Sequence, residues 1–393
     1  MCMIRGPHPH SHHTMYDAIF SAPGKALLAG GYLVLFPEFS AFSVGLSSRM
    51  YAAVTKTNSQ ALVVRSPQFA SKWQFPDKSG THANPFLNAC YDTVRAYFGR
   101  DFTGEITIFS DTGFHSQQNA QPKHFHNKFS HHNVPITEVP KTGLGSSAAL
   151  VVAVVSAMCF LCGDDIDPSK IHKLAQIAHS HAQGKIGSGF DVATAVFGTI
   201  KYSRFDPSHI PKDESPAEIV KSVNAPWKFT AEQCQLPSRY EVLMGDVAQG
   251  SETPGMVKQV LAWRSSHPNE ADALFATLNH ANMSIIEAMA TQDSANIRAS
   301  VQQIRGCLRQ LTDLSGVPIE PPRQTALLDR ASRVVGVLGG VVPGAGGDDA
   351  ICLILDTQAA SKPEILAELQ KIEGVTWMTG LSLETDGLKK DSI

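Results

Sequence analysis

The sequence predicts an α+β protein of two lobes with a cleft between them, and three observations support this fold class. Its 393 residues are too many for one core of ordinary size and suit two packed domains. A hydrophobic fraction of 43% and a charged fraction of 18% are typical of a globular enzyme that buries a large core. Short apolar runs broken by glycine and proline alternate with longer segments of helical spacing, so strands and helices are mixed.

In the first half of the chain, residues 1–15 are expected to be disordered, and the strands begin near residue 18. Residues 18–54 predict strands joined by turns, and Lys25 is expected in a turn because it follows a proline and a glycine. The later elements predicted here are a helix at residues 84–98, a strand at 105–109, helices at 146–162 and 168–183, and a helical or strand-like segment at 191–202.

The second half is expected to form the other lobe. Five prolines among polar residues make residues 206–237 the predicted interdomain connection, and we place the domains at residues 16–225 and 226–393. The elements predicted after the connection are a strand at residues 240–246, helices within 255–335, a glycine-rich turn, a strand at 351–355, a helix, and a last strand near Trp377.

A polar, histidine-rich segment occupies residues 115–133 and shows little periodicity. It predicts a mobile loop beside the glycine-rich segment that follows it. Four of its histidines, His124, His126, His131 and His132, have no carboxylate or cysteine at ligand spacing, which argues against a metal site.

Charge and hydropathy limit the expected partners. The formal net charge is only −3, with no long block of either sign, so a nucleic-acid partner is not expected. The longest apolar run, residues 148–162, is shorter than the roughly 20 residues of a membrane-spanning helix and predicts a buried helix instead. Residues 1–16 contain no apolar signal core, so we expect no membrane association and a cytoplasmic location.

The seven cysteines are odd in number and widely spread, which favours reduced thiols in a core. Cys159 and Cys162 form a C-x-x-C pair, but they lie late in an apolar helical run and no second pair accompanies them. Core packing is therefore favoured over redox chemistry or zinc binding.

The strongest functional signal is the segment Pro140-Lys-Thr-Gly-Leu-Gly-Ser-Ser-Ala-Ala149, which leads directly into the apolar helix. Its glycines permit backbone conformations and a close approach that side chains would block. The helix start offers unpaired N–H groups and a positive dipole end. Ser146 and Ser147 add hydroxyls that can cap the helix or reach a phosphate-bound magnesium ion. The segment predicts a phosphate-binding loop, with a capped helix after a tight turn as the simpler alternative.

Neither a G-x-x-x-x-G-K-[ST] loop nor an H-R-D or D-F-G tripeptide is present, which excludes two common kinase architectures. The chain instead resembles the GHMP kinases, named for galactokinase, homoserine, mevalonate and phosphomevalonate kinases. Three motifs carry the resemblance, in family order: Ser21-Ala-Pro-Gly-Lys25 followed by Gly30-Gly-Tyr32, the loop at residues 140–149, and Pro343-Gly-Ala-Gly-Gly347. Asp348 stands where many members have a further glycine. The resemblance implies an N-terminal lobe like domain 2 of ribosomal protein S5, a ferredoxin-like C-terminal lobe, and an active site in the cleft.

Within this superfamily the chain is most similar to phosphomevalonate kinases, from about residue 20 to residue 377. Gly184-Lys-Ile-Gly-Ser-Gly-Phe-Asp191 carries this likeness, with shorter matches at Leu46-Ser-Ser-Arg49 and Gly250-Ser-Glu-Thr253. The resemblance implies a magnesium-dependent transfer from ATP to 5-phosphomevalonate, by a monomer or homodimer. Diphosphomevalonate decarboxylase, mevalonate kinase and a non-catalytic metabolite sensor are the alternatives, although retention of Lys25, Ser147 and Asp191 favours turnover.

The resemblance also implies roles for single residues. Lys25 and Asp191 are expected to be catalytic, with Lys25 as a cation where two anions meet and Asp191 as its orienting group or as a base. Ser147 is the expected metal ligand, with Ser146 as the alternative, and Arg49 is a further cation beside a matched motif. The expected nucleotide-binding residues are Lys141, Gly143, Leu144, Gly145, Ser146, Ser147 and Ala148. The expected substrate-binding residues are Gly31, Tyr32, Lys185, Ser188, Gly189, Ser251, Thr253, Lys258, Gly344, Ala345 and Gly346.

Overall fold

The computed structural model describes residues 16–76, 84–115, 120–125, 129–132, 134–247 and 253–391. The α-helices of these residues are α1 (Pro85–Phe98), α2 (Ser146–Leu161), α3 (Pro168–Gln183), α4 (Phe190–Phe197), α5 (Pro216–Asn224), α6 (Thr253–Ser266), α7 (Pro268–Ala290), α8 (Ser294–Ser315), α9 (Pro322–Ala331) and α10 (Lys362–Leu369). Their strands are β1 (Ala18–Ala29), β2 (Ala41–Thr55), β3 (Leu62–Ser66), β4 (Ser71–Phe75), β5 (Gly104–Ser110), β6 (Gln121–Phe125), β7 (Phe129–His131), β8 (Ile200–Ser203), β9 (Thr230–Gln233), β10 (Tyr240–Asp246), β11 (Val337–Val341), β12 (Ala350–Asp356), β13 (Thr376–Trp377), β14 (Leu383–Glu384) and β15 (Lys389–Lys390). Most of the predicted helices and strands are thus confirmed, with small differences at their ends. The strand near Trp377 is not the last, because β14 and β15 follow it, and the strands β3, β4 and β11 were not predicted.

The first lobe is built on a nine-stranded sheet whose main order is β15-β1-β2-β5-β3-β4. Helix α2 packs across β1 and β2 and also contacts α1, α3 and α4. Because the sheet covers one side of α2 and helices cover the others, this helix is apolar almost all round. The buried helix predicted from the apolar run is therefore confirmed, and it fixes the glycine-serine loop at its N-terminus to the central strands.

The second lobe is built on a four-stranded sheet of order β11-β12-β10-β13. Helices α8 and α9 pack on β11, and α7 packs along α8. All the pairs in this sheet are antiparallel, as are those of the first sheet except β3 with β5. This mixture of antiparallel sheets and packed helices confirms the α+β fold class.

Lys25 does not lie in a turn, as the sequence suggested, but within β1. The pairing of β1 with β2 shifts register between Pro23 and Gly24, so that Pro23 pairs with Arg49 while Gly24 pairs with Leu46. A proline and a glycine are the residues that a sheet accepts at such an irregularity. Pro23 and Gly24 therefore introduce an irregularity into β1 without ending the strand.

Residues 206–237 are not a simple connection between lobes. They contain α5 and β9, and β9 pairs with β8 of the first sheet. The division at residue 226 stays a prediction, but the strands β9, β14 and β15, which follow it in sequence, all belong to the first sheet. Two of the prolines that suggested a linker, Pro207 and Pro216, instead lie at the starts of short helices, where proline is common.

The chain returns to the first lobe through β14 and β15. β14 pairs with β2, and β15 pairs with β1. Arg49 holds this return in place: it is buried, donates to Ser21 Oγ at 2.7 Å, and lies 3.5 Å from the carboxylate of Glu384. Arg49, a cation beside a matched motif, therefore serves the first sheet as a structural cation.

The histidine-rich segment is not a structureless loop where it is described. Residues 121–125 and 129–131 pair as the antiparallel strands β6 and β7. His115 and His132 are buried against Phe69, each with its ring centroid 4.9 Å from that of the phenylalanine. These two histidines act as core aromatic residues. His126 lies outside the described residues.

The six described cysteines are free. Cys159 is fully buried, and burial raises the pKa of Cys162 to about 12. The C-x-x-C pair is therefore part of the apolar core, as expected. Among the described helices, none is both long and apolar enough to cross a membrane.

Candidate active site

A cleft of about 1020 Å³ lies where the two lobes meet. One wall comes from β1, the loop before α2, one face of α3, and the segment before α4. The other wall comes from β10, α6 and the turn between β11 and β12. The predicted site residues that line this cleft are Lys25, Lys141, Gly143, Lys185, Ser188, Gly189, Asp191, Lys258, Gly344, Ala345 and Gly346. The fold thus brings residues from all three sequence motifs to one place.

Lys25 is held directly on the glycine-serine loop. Its backbone N–H donates to the carbonyl of Leu144 at 2.9 Å, and its Nζ donates to the carbonyl of Gly143 at 3.2 Å. Gly145 has a φ of +77°, and a Cβ there would lie 2.9 Å from Lys25 Cγ and 3.0 Å from Lys25 Cε. Gly145 is therefore required both for its left-handed backbone and for the space that the lysine side chain occupies.

The glycine-serine loop is also held by backbone contacts with Phe114 and His115. Thr142 N–H donates to the carbonyl of Phe114 at 3.2 Å, and Lys141 forms an isolated bridge with His115. Helix α2 then starts at Ser146 after Gly145, and no side chain caps it. Gly143 also has a φ of +77°, but a Cβ there would meet no atom within 4 Å. The loop therefore presents open space above Gly143 and an uncapped helix start, as a phosphate-binding loop requires.

Lys25 and Asp191 form the electrostatic centre of the cleft. Burial lowers the pKa of Lys25, and the negative charge of Asp191 opposes this shift. The ammonium group also lies 5.4 Å from the ring centroid of Phe190. Asp191 Oδ1 accepts from the N–H of Val192 at 2.9 Å, and no ion pair joins Asp191 to Lys25 among the described contacts. Asp191 therefore acts on Lys25 through its field rather than by contact.

Ser147 is linked to a buried histidine. Its Oγ lies 3.1 Å from His179 Nε2, and Gln183 Nε2 lies 3.2 Å from the same nitrogen. Burial is the main cause of the lowered pKa of His179, which favours the neutral imidazole. A neutral ring nitrogen can accept from the serine hydroxyl, which leaves the serine lone pairs available to a cation.

One wall of the cleft was not predicted from the sequence. Gln176, His179, Ser180 and Gln183 of α3 line it. Their spacing of three, four and seven residues puts them on one face of the helix. Polar residues repeated at this spacing on one face of α3 were the signal that could have identified them.

Gly31 and Tyr32 do not line the cleft, contrary to their expected role as substrate-binding residues. Tyr32 is 3% exposed and has a φ of +65°, which is unusual for a residue with a side chain. Its hydroxyl donates to the carbonyl of Ala345 at 2.7 Å, and a Cβ on Gly31 would lie 2.5 Å from the carbonyl oxygen of Gly344. These two residues therefore join the lobes by fixing the glycine-rich turn that does line the cleft.

The other predicted residues are placed less directly. The loop residues Leu144, Gly145, Ser146, Ser147 and Ala148 are not among the residues that line the cleft, although Gly145 and Ser147 are partly exposed. Ser251 lies outside the described residues. Thr253 is the first residue of α6, and Lys258 of the same helix is exposed and lines the cleft.

Comparison with known proteins identifies the family. A model of the GHMP kinases N terminal domain matches residues 114–199. The phosphomevalonate kinase of Candida albicans is 40% identical to this chain, over 95% of the chain and 97% of the relative. The chain belongs to the phosphomevalonate kinase family. The phosphomevalonate kinase of Gibberella zeae is 34% identical, over 95% of this chain and 96% of its own length.

The structure of Streptococcus pneumoniae phosphomevalonate kinase in complex with phosphomevalonate and AMPPNP has the same fold. Its TM-score is 0.67 at 18% identity, covering 95% of this chain and 99% of that one. The GHMP kinase fold that the three motifs implied is therefore confirmed over nearly the whole length of this chain.

Proposed function

We infer that this chain transfers the γ-phosphate of ATP to (R)-5-phosphomevalonate, giving ADP and (R)-5-diphosphomevalonate. This is a step of the mevalonate route to isoprenoids and sterols. The observation that carries the inference is one cleft in which Lys25, the loop at Gly143 and Asp191 converge, in a chain that matches phosphomevalonate kinases over almost its full length.

Phosphoryl transfer to a phosphate group does not require a strong general base. The second pKa of a phosphate monoester is about 6, so the attacking oxygen is already mostly ionised near neutral pH. The larger barrier is bringing two multiply charged anions together. Lys25 supplies a cation at the loop, and Lys185 and Lys258 add exposed cations from opposite walls of the cleft. We propose that these charges offset the repulsion and align the reacting groups.

We propose that Mg²⁺ accompanies ATP and that Ser147 holds it. Mg²⁺ usually takes most of its ligands from phosphates and water and only one or two from the protein. A single hydroxyl at the start of α2, with its proton directed toward His179, fits that donor set. When bound, the ion neutralises charge on the transferred group.

We propose that the acceptor phosphate lies against the segment Gly187–Gly189, close to Lys185. Residues of this segment line the cleft beside Asp191. The N–H groups of Ser188, Gly189 and Phe190 have no acceptor among the described residues. They are therefore available to an anion.

A coupled ADP-release assay across mevalonate, phosphomevalonate, diphosphomevalonate, homoserine and galactose tests the function. We expect turnover with phosphomevalonate alone. Carbon dioxide release from diphosphomevalonate would instead identify a decarboxylase, and turnover with mevalonate would identify a mevalonate kinase. ATP binding without turnover of any of the five would identify a sensor.

We propose that the enzyme works in the cytoplasm as a monomer or homodimer. Light scattering during gel filtration distinguishes the 42.3 kDa monomer from a dimer, and fluorescence microscopy of the tagged chain tests the location.

Asp191→Asn is expected to reduce kcat by less than about 10²-fold with phosphomevalonate as acceptor. A positioned general base contributes roughly 10² to 10⁴ in rate, and an ionised phosphate nucleophile needs little of this help. The measurement is the pH dependence of kcat from about pH 5 to 9 for wild type and variant, with magnesium in excess.

In both proteins we expect an acidic limb near the pKa of the substrate phosphate, about 6. A limb that disappears in Asp191→Asn would belong to the enzyme. Asp191 would then be a true general base, and the proposed mechanism would be wrong.

Tyr32→Phe is expected to reduce kcat/KM by about fivefold, because a buried hydrogen bond contributes about 1 kcal/mol. The phenylalanine keeps the packing but no longer binds the carbonyl of Ala345, so the glycine-rich turn loosens. Steady-state kinetics and thermal unfolding measure the two effects.

Tyr240→Phe is the matched control for Tyr32→Phe. Its buried hydroxyl lies 3.0 Å from Ser294 Oγ within the second lobe, away from the cleft. We expect it to lower stability similarly and to leave kcat/KM unchanged. Equal kinetic losses in both variants would show that Tyr32 has no special link to the site.

A further inference from the structure

Three consecutive carbonyl groups of the segment before α4 are each held by a different side chain. The carbonyl of Gly187 accepts from Arg204 Nη2 at 2.7 Å. That of Ser188 accepts from the Tyr202 hydroxyl at 2.8 Å, and that of Gly189 accepts from Gln176 Nε2 at 2.7 Å. Each carbonyl of the segment is therefore fixed in direction by a separate donor.

The direction of the carbonyls sets the direction of the N–H groups. In a planar trans peptide the N–H of each residue points opposite to the carbonyl of the residue before it. The N–H groups of Ser188, Gly189 and Phe190 therefore point away from Arg204, Tyr202 and Gln176 respectively. Ser188, Gly189 and Phe190 all line the cleft. The hydrogen bonds that hold the three carbonyls therefore determine which N–H groups the segment offers to a ligand.

Arg204 differs from the other two donors because it is charged. Its Nη1 donates to the carbonyl of Leu35 at 2.8 Å, so it ties a second segment of the cleft wall to the first. No carboxylate forms an ion pair with it among the described residues, and its buried Nε has no partner there. The carboxylate of Asp206, whose negative charge opposes the lowering of the Arg204 pKa, is exposed and accepts from the N–H of Ser208.

A guanidinium group stays protonated in proteins, although burial lowers the pKa of Arg204. Its bonds go to neutral carbonyls, which do not cancel its charge. The segment therefore has a positive group on the side away from the cleft. An anion bound on the cleft side of the segment therefore has this charge on the other side of the same peptide groups, across protein rather than bulk water.

We propose that Arg204 is a positioning residue for the acceptor substrate, which orients the segment Gly187–Gly189 and supplies an uncancelled positive charge behind the seat of its phosphate group. The inference rests on the proposed function, since the anion in question is the phosphate of phosphomevalonate. Arg204 acts through the segment and does not touch the substrate.

The test compares acceptor and donor kinetics in Arg204→Gln and Arg204→Lys. We expect the KM for phosphomevalonate to rise about tenfold or more in Arg204→Gln, because charge-assisted hydrogen bonds are the strong ones. The KM for ATP should change by less than about twofold, since the nucleotide loop has separate anchors. Arg204→Lys keeps the charge but not the forked geometry, so we expect a smaller rise in the same KM.

Arg65→Gln is the matched control. Arg65 lies in the same lobe and pairs with Glu105 at 2.7 Å on the surface, so both constants should stay as in wild type. Tyr202→Phe removes only the hydroxyl that holds Ser188 and is the second test if Arg204→Gln unfolds. It should also raise the KM for phosphomevalonate selectively.

The proposal would be overturned if these variants left the KM for phosphomevalonate unchanged, or if both KM values rose in parallel. Calorimetric titration of phosphomevalonate without nucleotide gives an independent reading, and an unchanged affinity in folded Arg204→Gln would also overturn it. A wild-type protein that fails to turn over phosphomevalonate would instead refute the proposed function itself.

Discussion

Lys25→Met is expected to reduce kcat by about 10²- to 10³-fold, while the affinity for ATP changes far less. This is the loss typical of removing one preorganised group that stabilises charge in a transition state. Methionine keeps most of the side-chain length over Gly145 but has no ammonium group to place where the two anions meet. Steady-state kinetics at saturating phosphomevalonate and calorimetry with a non-hydrolysable ATP analogue measure the two quantities.

Lys56→Met is the control for the loss of a lysine. Lys56 is also a lysine of the first lobe whose Nζ lies over a phenylalanine ring, 4.7 Å from the centroid of Phe160, but it is exposed and does not line the cleft. We expect this variant to retain wild-type kcat. An unchanged kcat in Lys25→Met would remove Lys25 from the reaction.

Gly145→Val is expected to abolish ATP binding while most of the fold remains intact. A β-branched residue at a φ of +77° is strained by roughly 1–3 kcal/mol, and its Cβ would collide with the stem of Lys25. The loop and the lysine must then move apart, which destroys the phosphate seat. Calorimetry with ATP, with circular dichroism to confirm folding, makes the measurement.

Gly163→Val separates backbone strain from the collision. Gly163 follows the other end of α2 with a φ of +78°, but a Cβ there would meet nothing within 4 Å. We expect similar strain and a similar drop in melting temperature, with ATP affinity unchanged. If folded Gly145→Val bound ATP as tightly as Gly163→Val, the loop would not be the phosphate site.

Local chemistry made the glycine-serine loop and the helix after it predictable. The glycine-serine loop was found because its glycines and the uniformly apolar α2 are adjacent in the sequence, so that the pattern can be recognised without knowledge of distant contacts. Strands β10 and β12 and the helices of the second lobe were found for the same reason, whereas β11 was not predicted. The positions of Lys25, Gly143 and Asp191 around one cleft followed from family motifs rather than from spacing, since they are far apart in the chain.

What sequence reasoning missed depends on long-range contacts. The family motif placed Tyr32 on the substrate side, but its hydroxyl reaches Ala345, a partner 313 residues away. Arg204 carried no motif at all, and its role depends on two carbonyls that only the folded chain places beside it. Pro23 and Gly24 suggested a turn because the sequence does not show that β2 accommodates the irregularity.

The return of β14 and β15 to the first sheet has a consequence for synthesis on the ribosome. Ser21 of β1 bonds to Asp391 beyond β15, a separation of 370 residues. At a synthesis rate of 5–20 residues per second, roughly 20 to 70 seconds pass between the synthesis of Ser21 and that of Asp391. During this time Arg49 lacks Glu384, and parts of β1 and β2 have open edges that other chains can pair with. The first lobe is therefore begun first and finished last, and the nascent chain is most exposed to misassembly before its final strands emerge.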